Sequence, residues 1–370
     1  MVLDDMQAMV LDTARDWTRD RTPVSAFRAL RDRGEPRGYD PAAYAELGDL
    51  GWCGVAIPED HGGSGLGYLT LGLILEQMGR TVAASPLSST AIVADALVRG
   101  GTQAVRDAWL PRLLAGQAVG ALAVDEGPRH APDAINATAV RTDDGWRLDG
   151  VKPFVAEGMG ADLLVVAART DDGTALFALD AGAEGLSRTP RHLTDQRGHA
   201  DVVLDGVLAP AHARLSETGA DPALFETLLD RARALAAAEL LGLSIGAFEM
   251  TVEYLKTREQ FGQKIGAFQA LQHRAAHLHT RLELTRSAVL AALLAIDQES
   301  GEVPRLVALA KATAADTANL ATREMIQMHG GIGMTDDHDA GFYIKRARVL
   351  EATWGGAAFH RERYGRMIGV

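Results

Sequence analysis

The longest regular pattern of apolar positions lies between residues 221 and 300. From Leu228 to Val252, apolar and small side chains recur every three or four residues, which is the spacing of an amphipathic helix. Gly262 and Gly266 interrupt this pattern, and a second helical pattern follows from Phe268. At about 1.5 Å per residue, the helix before Gly262 would span roughly 50 Å, more than the width of a small domain. The sequence therefore predicts two long helices, joined by a turn, that pack against much of the chain.

Shorter patterns of both kinds precede these helices. The helical ones are Met6–Trp17, Ala42–Leu50, Leu69–Gly79, Ala91–Arg99 and Val105–Leu114. Short apolar runs bounded by Gly, Asp and Pro, which are typical of strands, are Ala118–Val124, Trp146–Leu148, Leu163–Ala168, Ala175–Leu179 and Val202–Leu204. Asp-Asp-Gly at 143–145 and again at 171–173 predicts two tight turns between strands.

This order of patterns predicts an α+β protein of three domains. We place an N-terminal helical domain at 1–116, a small β domain at 117–215 and a C-terminal helical domain at 216–370, with a connector at 216–222.

Composition narrows the class of function. With 47% hydrophobic and 23% charged residues the chain has the composition of a soluble globular protein, and its net charge of -12 opposes binding to nucleic acid or to anionic membranes. No apolar run approaches 18 residues, and the N-terminal residues lack the pattern of a signal peptide. We therefore expect a cytoplasmic protein. The single cysteine, Cys53, lies in an apolar stretch and is expected to be a buried hydrophobe.

Two segments offer chemistry that we do not favour. The Gly-rich segment Pro58–Gly67 could let backbone amides approach a phosphate, but it lacks the lysine-bearing P-loop spacing, so a structural turn is expected. Among the nearby histidines His273, His277 and His279, only the first two are spaced as an i, i+4 pair, and no carboxylate or cysteine set accompanies them. No metal site is predicted there.

Two motifs in the C-terminal third resemble a known family. The segment TREQFGQKIGAFQALQH at 257–273 resembles the R-x-Q-F-G-x-x-I-x-x-F-Q signature of the acyl-CoA dehydrogenase family, and QMHGGIGMT at 327–335 resembles a second signature of that family. The resemblance extends from about Met6 to Met367. It implies a C-terminal domain of the four-helix-bundle type and an FAD cofactor bound between subunits.

The resemblance also implies which residues meet FAD. In the family, the two signatures of one subunit reach the ADP half of a flavin whose ring lies on the neighbour's β domain. Carried over, Arg258 would pair with pyrophosphate oxygens. The other implied cofactor-binding residues are Gln260, Phe261, Gln269, Gln327, Gly330 and Gly331, with Phe154 on the side of the ring.

The flavin-ring side of the family pattern is altered. Where the family usually has a T-E-P-x-x-G-S-D-like loop, this chain has VDEGPRHAPD at 124–133, without the hydroxyls and the G-S-D ending. The next family segment, W-I-[TS]-N-G, appears as FVAEG at 154–158, so Phe154 replaces the tryptophan and Ala156 the hydroxyl residue. Compared with the family pattern, the resemblance therefore implies that at least two polar contacts to a flavin ring are altered, while an aromatic residue is kept that could shield the ring.

The position of the catalytic base is altered as well. The family's reaction needs a carboxylate to remove the α-proton of an acyl thioester. Ungapped counting from the second signature places Trp354 in the usual slot, and the alternative slot on the long helix holds Ala232. Two weak candidates remain, Glu351 through a gapped alignment and Glu239 two turns beyond Ala232, where a structural bond is the expected role. The catalytic residue is therefore left unknown, with Arg233 and Trp354 as substrate-side residues.

Three hypotheses of function follow. The first is a subunit of a heteromeric acyl-CoA dehydrogenase, catalytic or not, that works with a related subunit on an acyl-CoA or other acyl thioester. The second is a self-sufficient homotetrameric dehydrogenase with a relocated base, and the third is a flavin-dependent oxygenase of the same fold. Electron-transfer flavoprotein is a further possible partner of such enzymes, as the resemblance implies.

Overall fold

The computed structural model describes residues 3–216 and 219–370, so that Glu217 and Thr218 of the predicted connector lie outside the described residues. The first part of the chain is helical. Its α-helices are α1 Asp5–Arg21, α2 Val24–Asp32, α3 Pro41–Asp49, α4 Gly67–Arg80, α5 Leu87–Gly100 and α6 Gln103–Leu114. Helix α1 begins after Asp4 because the Asp4 carboxylate accepts a hydrogen bond from the amide of Gln7, 2.7 Å away, as an N-cap does.

An eight-stranded sheet follows the helices. Its strands are β1 Gly120–Ala123, β2 Thr138–Arg141, β3 Gly145–Val155, β4 Leu163–Thr170, β5 Gly173–Asp180, β6 Leu186–Pro190, β7 Ala200–Pro210 and β8 Arg214–Leu215. Their spatial order is β6-β7-β3-β2-β4-β5-β8, with β1 paired to β4. Strand β4 pairs in parallel with β1 and β2, and the other pairs are antiparallel. Both predicted Asp-Asp-Gly turns join antiparallel neighbours, β2 to β3 and β4 to β5.

Helices return after the sheet. They are α7 Pro222–Thr257, α8 Gln269–Asp297, α9 Val303–His329, α10 Ala340–Ala352 and α11 Ala357–Ile368. A short hairpin, β9 Glu259–Gln260 and β10 Gln263–Lys264, joins α7 to α8. Helices α8, α10 and α11 all pack on α9.

The chain divides into two compact units. One contains the chain up to Phe27, Tyr68–Ala83 and Arg233–Val370, and the other contains Arg28–Gly67 and Ala84–Ala232. The first unit is helical, while the second holds the sheet together with α3, α5 and α6. The boundaries of the three predicted domains remain a prediction, because these units are not contiguous in sequence.

Close helix packing explains why the part of α7 from Arg233 onward belongs to the helical unit. A Cβ atom on Gly242 of α7 would lie 1.9 Å from the carbonyl oxygen of Glu76 in α4, so only glycine lets the two backbones approach this closely. Helix α7 is also long and apolar enough to cross a membrane, but 72% of its most apolar window is buried within the protein. Such burial is typical of a core helix, since the protein itself covers the apolar surface.

Candidate cofactor and substrate sites

The first signature forms an exposed hairpin tip. Phe261 lies between β9 and β10 with a φ of 53°, and its side chain is 91% exposed. The guanidinium of Arg258 beside it is exposed and has no hydrogen bond or ion pair within the described residues. The tip therefore presents one aromatic group and one uncommitted cation.

Apolar packing brings the two signatures together. Leu255 and Ile265, which flank the first signature, share a buried cluster with Met328 of the second. The Tyr254 ring stacks on the His329 ring with centroids 4.4 Å apart. The hairpin is thereby fixed beside the C-terminal end of α9.

The end of α9 leaves its backbone open to a ligand. Gly330 has a φ of 66°, and neither Gly330 nor Gly331 has any atom within 4 Å of where a Cβ would be. A ligand could therefore approach the backbone closely there. The glutamines predicted for this site are all exposed, namely Gln260, Gln269 and Gln327. Seven of the eight predicted cofactor residues thus lie in or beside these two signatures.

The loop at 124–133 uses its acidic side chains internally. Oε1 of Glu126 accepts hydrogen bonds from Nζ of buried Lys152 at 2.6 Å and from the amide of Ala137 at 2.8 Å. Burial opposes ionisation of Glu126, but hydrogen bonds from Lys152 and from the loop amides outweigh it and lower the pKa. Asp125 lies 2.8 Å from Nδ1 of His130. Glu126 thus ties the loop to β3 and to the residues before β2, while Asp125 and His130 pair within it.

Phe154 is engaged in a similar way. It lies at a β-bulge of β3, with a φ of 59°, and its amide donates to Oδ1 of Asp201 at 3.2 Å. The guanidinium of Arg191 lies 4.7 Å from the centroid of its ring and is itself paired with Asp201. The eighth predicted cofactor residue is therefore half-buried and has an arginine over its ring.

Backbone strain marks three predicted positions. Phe154, Phe261 and Trp354 all have φ values between 53° and 59°, in the left-handed region that bulky residues avoid. Such conformations persist only when their surroundings fix them, and they cluster at ligand sites. Five other described non-glycine residues, Val82, Glu157, Gln196, Ser216 and Glu299, also have positive φ, so this conformation is not confined to the predicted positions.

Both weak base candidates are bound elsewhere. Oε1 of Glu239 accepts from Nε of Arg346 at 2.8 Å, and both side chains are nearly buried. Oε2 of Glu351 pairs with Arg348 at 3.3 Å on the same helix. The structural bond expected for Glu239 is present, and neither carboxylate is free. Their catalytic roles remain predictions.

The two substrate-side residues share a neighbourhood. The buried guanidinium of Arg233 lies 5.6 Å from the ring centroid of Phe359, and Nε2 of the next residue, His360, lies 3.0 Å from the carbonyl oxygen of Trp354. Sequence reasoning missed His360 and the fully buried Lys311, which also contacts this turn. Lys311 stands within the alanine-rich apolar stripe of α9, and a lysine in such a stripe is the signal that could have found it.

The Gly-rich loop does not expose amides to a phosphate. Consecutive amides of Gly62, Gly63 and Ser64 donate to backbone carbonyls of the preceding residues. This arrangement is that of the structural turn that was expected, because no amide of these three remains for an anion. No group of three or more potential metal-binding side chains occurs in the described part of the chain, which includes His273 and His277.

Comparisons with known proteins place these features in a family. The family model described as acyl-CoA dehydrogenase, N-terminal domain, matches residues 4–117, and the one for the C-terminal domain matches 223–369. Acyl-CoA dehydrogenase FadE27 of Mycobacterium tuberculosis is 31% identical over 339 residues, which are 89% of this chain and 88% of that protein.

Solved structures agree on the fold. A variant of the Tcur3481-Tcur3483 steroid ACAD is 33% identical with a TM-score of 0.90, and the match covers 99% of this chain and 98% of that one. The ChsE4-ChsE5 complex from Mycobacterium tuberculosis is 27% identical with a TM-score of 0.91, covering 100% and 98%. PigA with FAD and proline, 23% identical with a TM-score of 0.90 over 100% and 99%, shares the fold and holds the predicted cofactor. The predicted α+β fold is confirmed, and the chain belongs to the acyl-CoA dehydrogenase family.

Proposed function

We propose that the chain is one subunit of a heteromeric acyl-CoA dehydrogenase and lends half of an FAD site to a related partner subunit. A single contrast carries this proposal. At the hairpin tip, the guanidinium of Arg258 and the ring of Phe261 are exposed and make no polar contact within the described residues, whereas in the segments on the flavin-ring side Glu126 is bound by Lys152 and Phe154 lies under Arg191.

The exposed surface fits the cofactor by its chemistry. Arg258 offers a planar fork of donors to pyrophosphate, Phe261 offers an aromatic face, and the open backbone at Gly330 and Gly331 admits close approach. FAD, when bound, would supply the hydride acceptor for α,β-dehydrogenation of an acyl thioester. The work of this chain at that site is to hold the ADP half in place.

The catalytic carboxylate would then come from the partner subunit. Trp354 has no proton-accepting group, and both Glu239 and Glu351 are paired with arginines. The steroid ACAD and the ChsE4-ChsE5 complex among the relatives favour a bulky acyl-CoA as the substrate and a heterotetramer as the assembly. A cytoplasmic location and electron-transfer flavoprotein as the electron acceptor complete the proposal.

The test is to purify the chain alone and together with candidate partner subunits. FAD per subunit and oligomeric mass are measured for each preparation, and saturated acyl-CoA thioesters are added without oxygen while the flavin absorbance is recorded. We expect little FAD on the chain alone, and an α2β2 complex with two flavins that bleach on addition of substrate.

The alternative hypotheses give different results. A homotetramer with one flavin per chain that bleaches with acyl-CoA would overturn the heteromer and indicate a self-sufficient dehydrogenase. A flavin that bleaches only with another reductant, and then consumes oxygen in making product, would indicate the oxygenase.

A further inference from the structure

The turn between α10 and α11 is strained at a bulky residue. Trp354 has a φ of 59° and Gly355 a φ of 96°, so two consecutive residues are left-handed. For tryptophan this conformation costs about 1–2 kcal/mol relative to the right-handed region. Surrounding contacts must therefore fix the turn, since an unsupported chain would relax.

Lys311 supplies most of these contacts. Its ammonium group, completely buried in α9, donates to the carbonyl oxygens of Leu350 at 3.2 Å, Glu351 at 2.9 Å and Gly355 at 3.0 Å. The first two carbonyls belong to the last turn of α10, where no further helical amide is available to them. One cation thus closes the end of α10 and holds the turn that follows.

His360 of α11 holds a fourth carbonyl. Its Nε2 lies 3.0 Å from the oxygen of Trp354, and because a carbonyl can only accept, Nε2 must carry the hydrogen. Nδ1 is then a bare acceptor, and it has no hydrogen-bond partner among the described residues. Burial lowers the pKa of His360 to about 2, with the charges of Lys311 and Arg233 adding to the effect. The ring is therefore neutral, as this donor geometry requires.

Charged groups on two other helices act on Lys311. Burial lowers its pKa to about 7, Glu351 of α10 opposes that shift, and Arg233 of α7 adds to it. The three carbonyl oxygens favour the charged form, because an ammonium group has three hydrogens and can donate to all three oxygens at once. A buried cation of this kind is costly, and its bonds to the turn are what offset the cost.

We infer that Lys311 and His360 are positioning residues for Trp354. Between them they hold four backbone carbonyls between Leu350 and Gly355, and so fix the left-handed turn that orients the indole. The inference goes beyond the proposed function, because it concerns the turn itself and stands whether or not the chain works in a heteromer. It also makes the segment a preformed support for whichever side chain occupies position 354.

Fluorine NMR of the full chain, labelled with 5-fluorotryptophan, tests this role without cofactor or partner. The chain has five tryptophans, so five resonances are expected, and Trp354→Phe identifies that of residue 354. Lys311→Met removes the ammonium at similar length and should shift the Trp354 resonance by more than its linewidth and broaden it. The other four resonances should stay in place. His360→Leu should shift the same resonance by less.

Thr322→Val is the matched control. It removes one buried hydroxyl from the same helix, and that hydroxyl donates to Ala318 within α9 and not to the turn. All five resonances should remain unchanged in it. A folded Lys311→Met protein whose Trp354 resonance stays in place would overturn the inference. Should that variant fail to fold, an unchanged Trp354 resonance in His360→Leu would overturn it equally.

Discussion

Two regions that the family resemblance assigns to one cofactor differ in how their polar side chains are used. At the hairpin tip, the guanidinium of Arg258 and the ring of Phe261 face outward and make no polar contact within the described residues. In the β-sheet region, Glu126 is bound by Lys152 and by two loop amides, and Phe154 is covered by Arg191.

The difference is informative because the family resemblance assigns both regions to the same cofactor. A side chain that has already satisfied its hydrogen bonds gains little by meeting a ligand, since it must first give up those bonds. An exposed and unpaired group has no such cost. The hairpin tip is therefore the region that is free to bind a ligand. Substitutions in each region test whether its side chains are held by contacts within the chain.

The largest expected effect comes from opening the loop region. Lys152→Met should lower the free energy of unfolding by about 3 kcal/mol, because Glu126 would keep a buried charge without its cation. Urea denaturation measures this loss. Lys345→Met, at an exposed position, is the matched control and should change the free energy by less than about 0.5 kcal/mol. A loss below about 1 kcal/mol for Lys152→Met would mean that the loop is not held in this way.

The next effect is expected at the hairpin tip and concerns binding rather than stability. Arg258→Ala should weaken FAD retention in the assembled oligomer by about 30-fold, which corresponds to about 2 kcal/mol for a charge-assisted bond to phosphate. Its melting temperature should hardly change, because the side chain supports no contact in the fold. Arg366→Ala, at an exposed arginine of α11, is the control. Unchanged FAD affinity after Arg258→Ala would show that Arg258 at the hairpin tip does not bind the cofactor. The contrast between the two regions would then no longer hold.

The fold was predictable where apolar spacing is long or turn chemistry is strong. Helix α7 and both Asp-Asp-Gly hairpins were predicted from such signals. Strand β6 was not, because it is the edge strand of the sheet and its residues alternate between half-buried and exposed positions without an apolar run. Helix α2 was not predicted either, although it has nine residues like the predicted α3.

The site was predictable only as far as its motifs. The sequence identified the segments that contain Arg258 and Trp354. It could not show that the guanidinium of Arg258 makes no polar contact within the described residues, or that the backbone at Trp354 is held by other side chains. The hairpin is held by packing on Met328 and the turn by bonds from Lys311, and both residues reach these segments from α9 through tertiary contacts. The left-handed backbone of Trp354 is likewise a consequence of that packing and has no local signal.

A smaller effect is expected at the clamped turn, and pH reveals it. The pKa of His360 is about 2 in the folded chain and about 6.5 when unfolded, so between these values only the unfolded chain takes up the proton. Stability contributed by neutral His360 is therefore lost as pH falls below about 6.5.

From pH 7 to 5.5, the wild-type chain should lose about 1 kcal/mol more unfolding free energy than His360→Gln, which keeps a donor but does not titrate. Urea denaturation measures both proteins across this range. If their unfolding free energies change equally with pH, the His360 ring takes up its proton as readily in the folded chain as in the unfolded chain. The turn would then not depend on a neutral His360, and it would be no more tightly held than the hairpin tip.

The smallest effect is expected for the rate of flavin reduction after a substitution of Glu351. An unchanged rate is the informative result. Glu351→Gln keeps the size of the side chain and removes its basic carboxylate. Its bond to Lys311 is made by the backbone carbonyl, so the turn should remain in place. In an assembled, active complex, stopped-flow rates of flavin reduction should therefore stay within about twofold of wild type, because a group that takes no part in proton transfer contributes nothing to that barrier.

Loss of the exposed pair between Glu351 and Arg348 should lower the free energy of unfolding by less than about 1 kcal/mol. A fall in rate of several orders of magnitude, with FAD content and fold unchanged, would make Glu351 the base. The end of α10 would then be catalytic. The chain could no longer be described as one that only contributes the hairpin tip to a partner's FAD site.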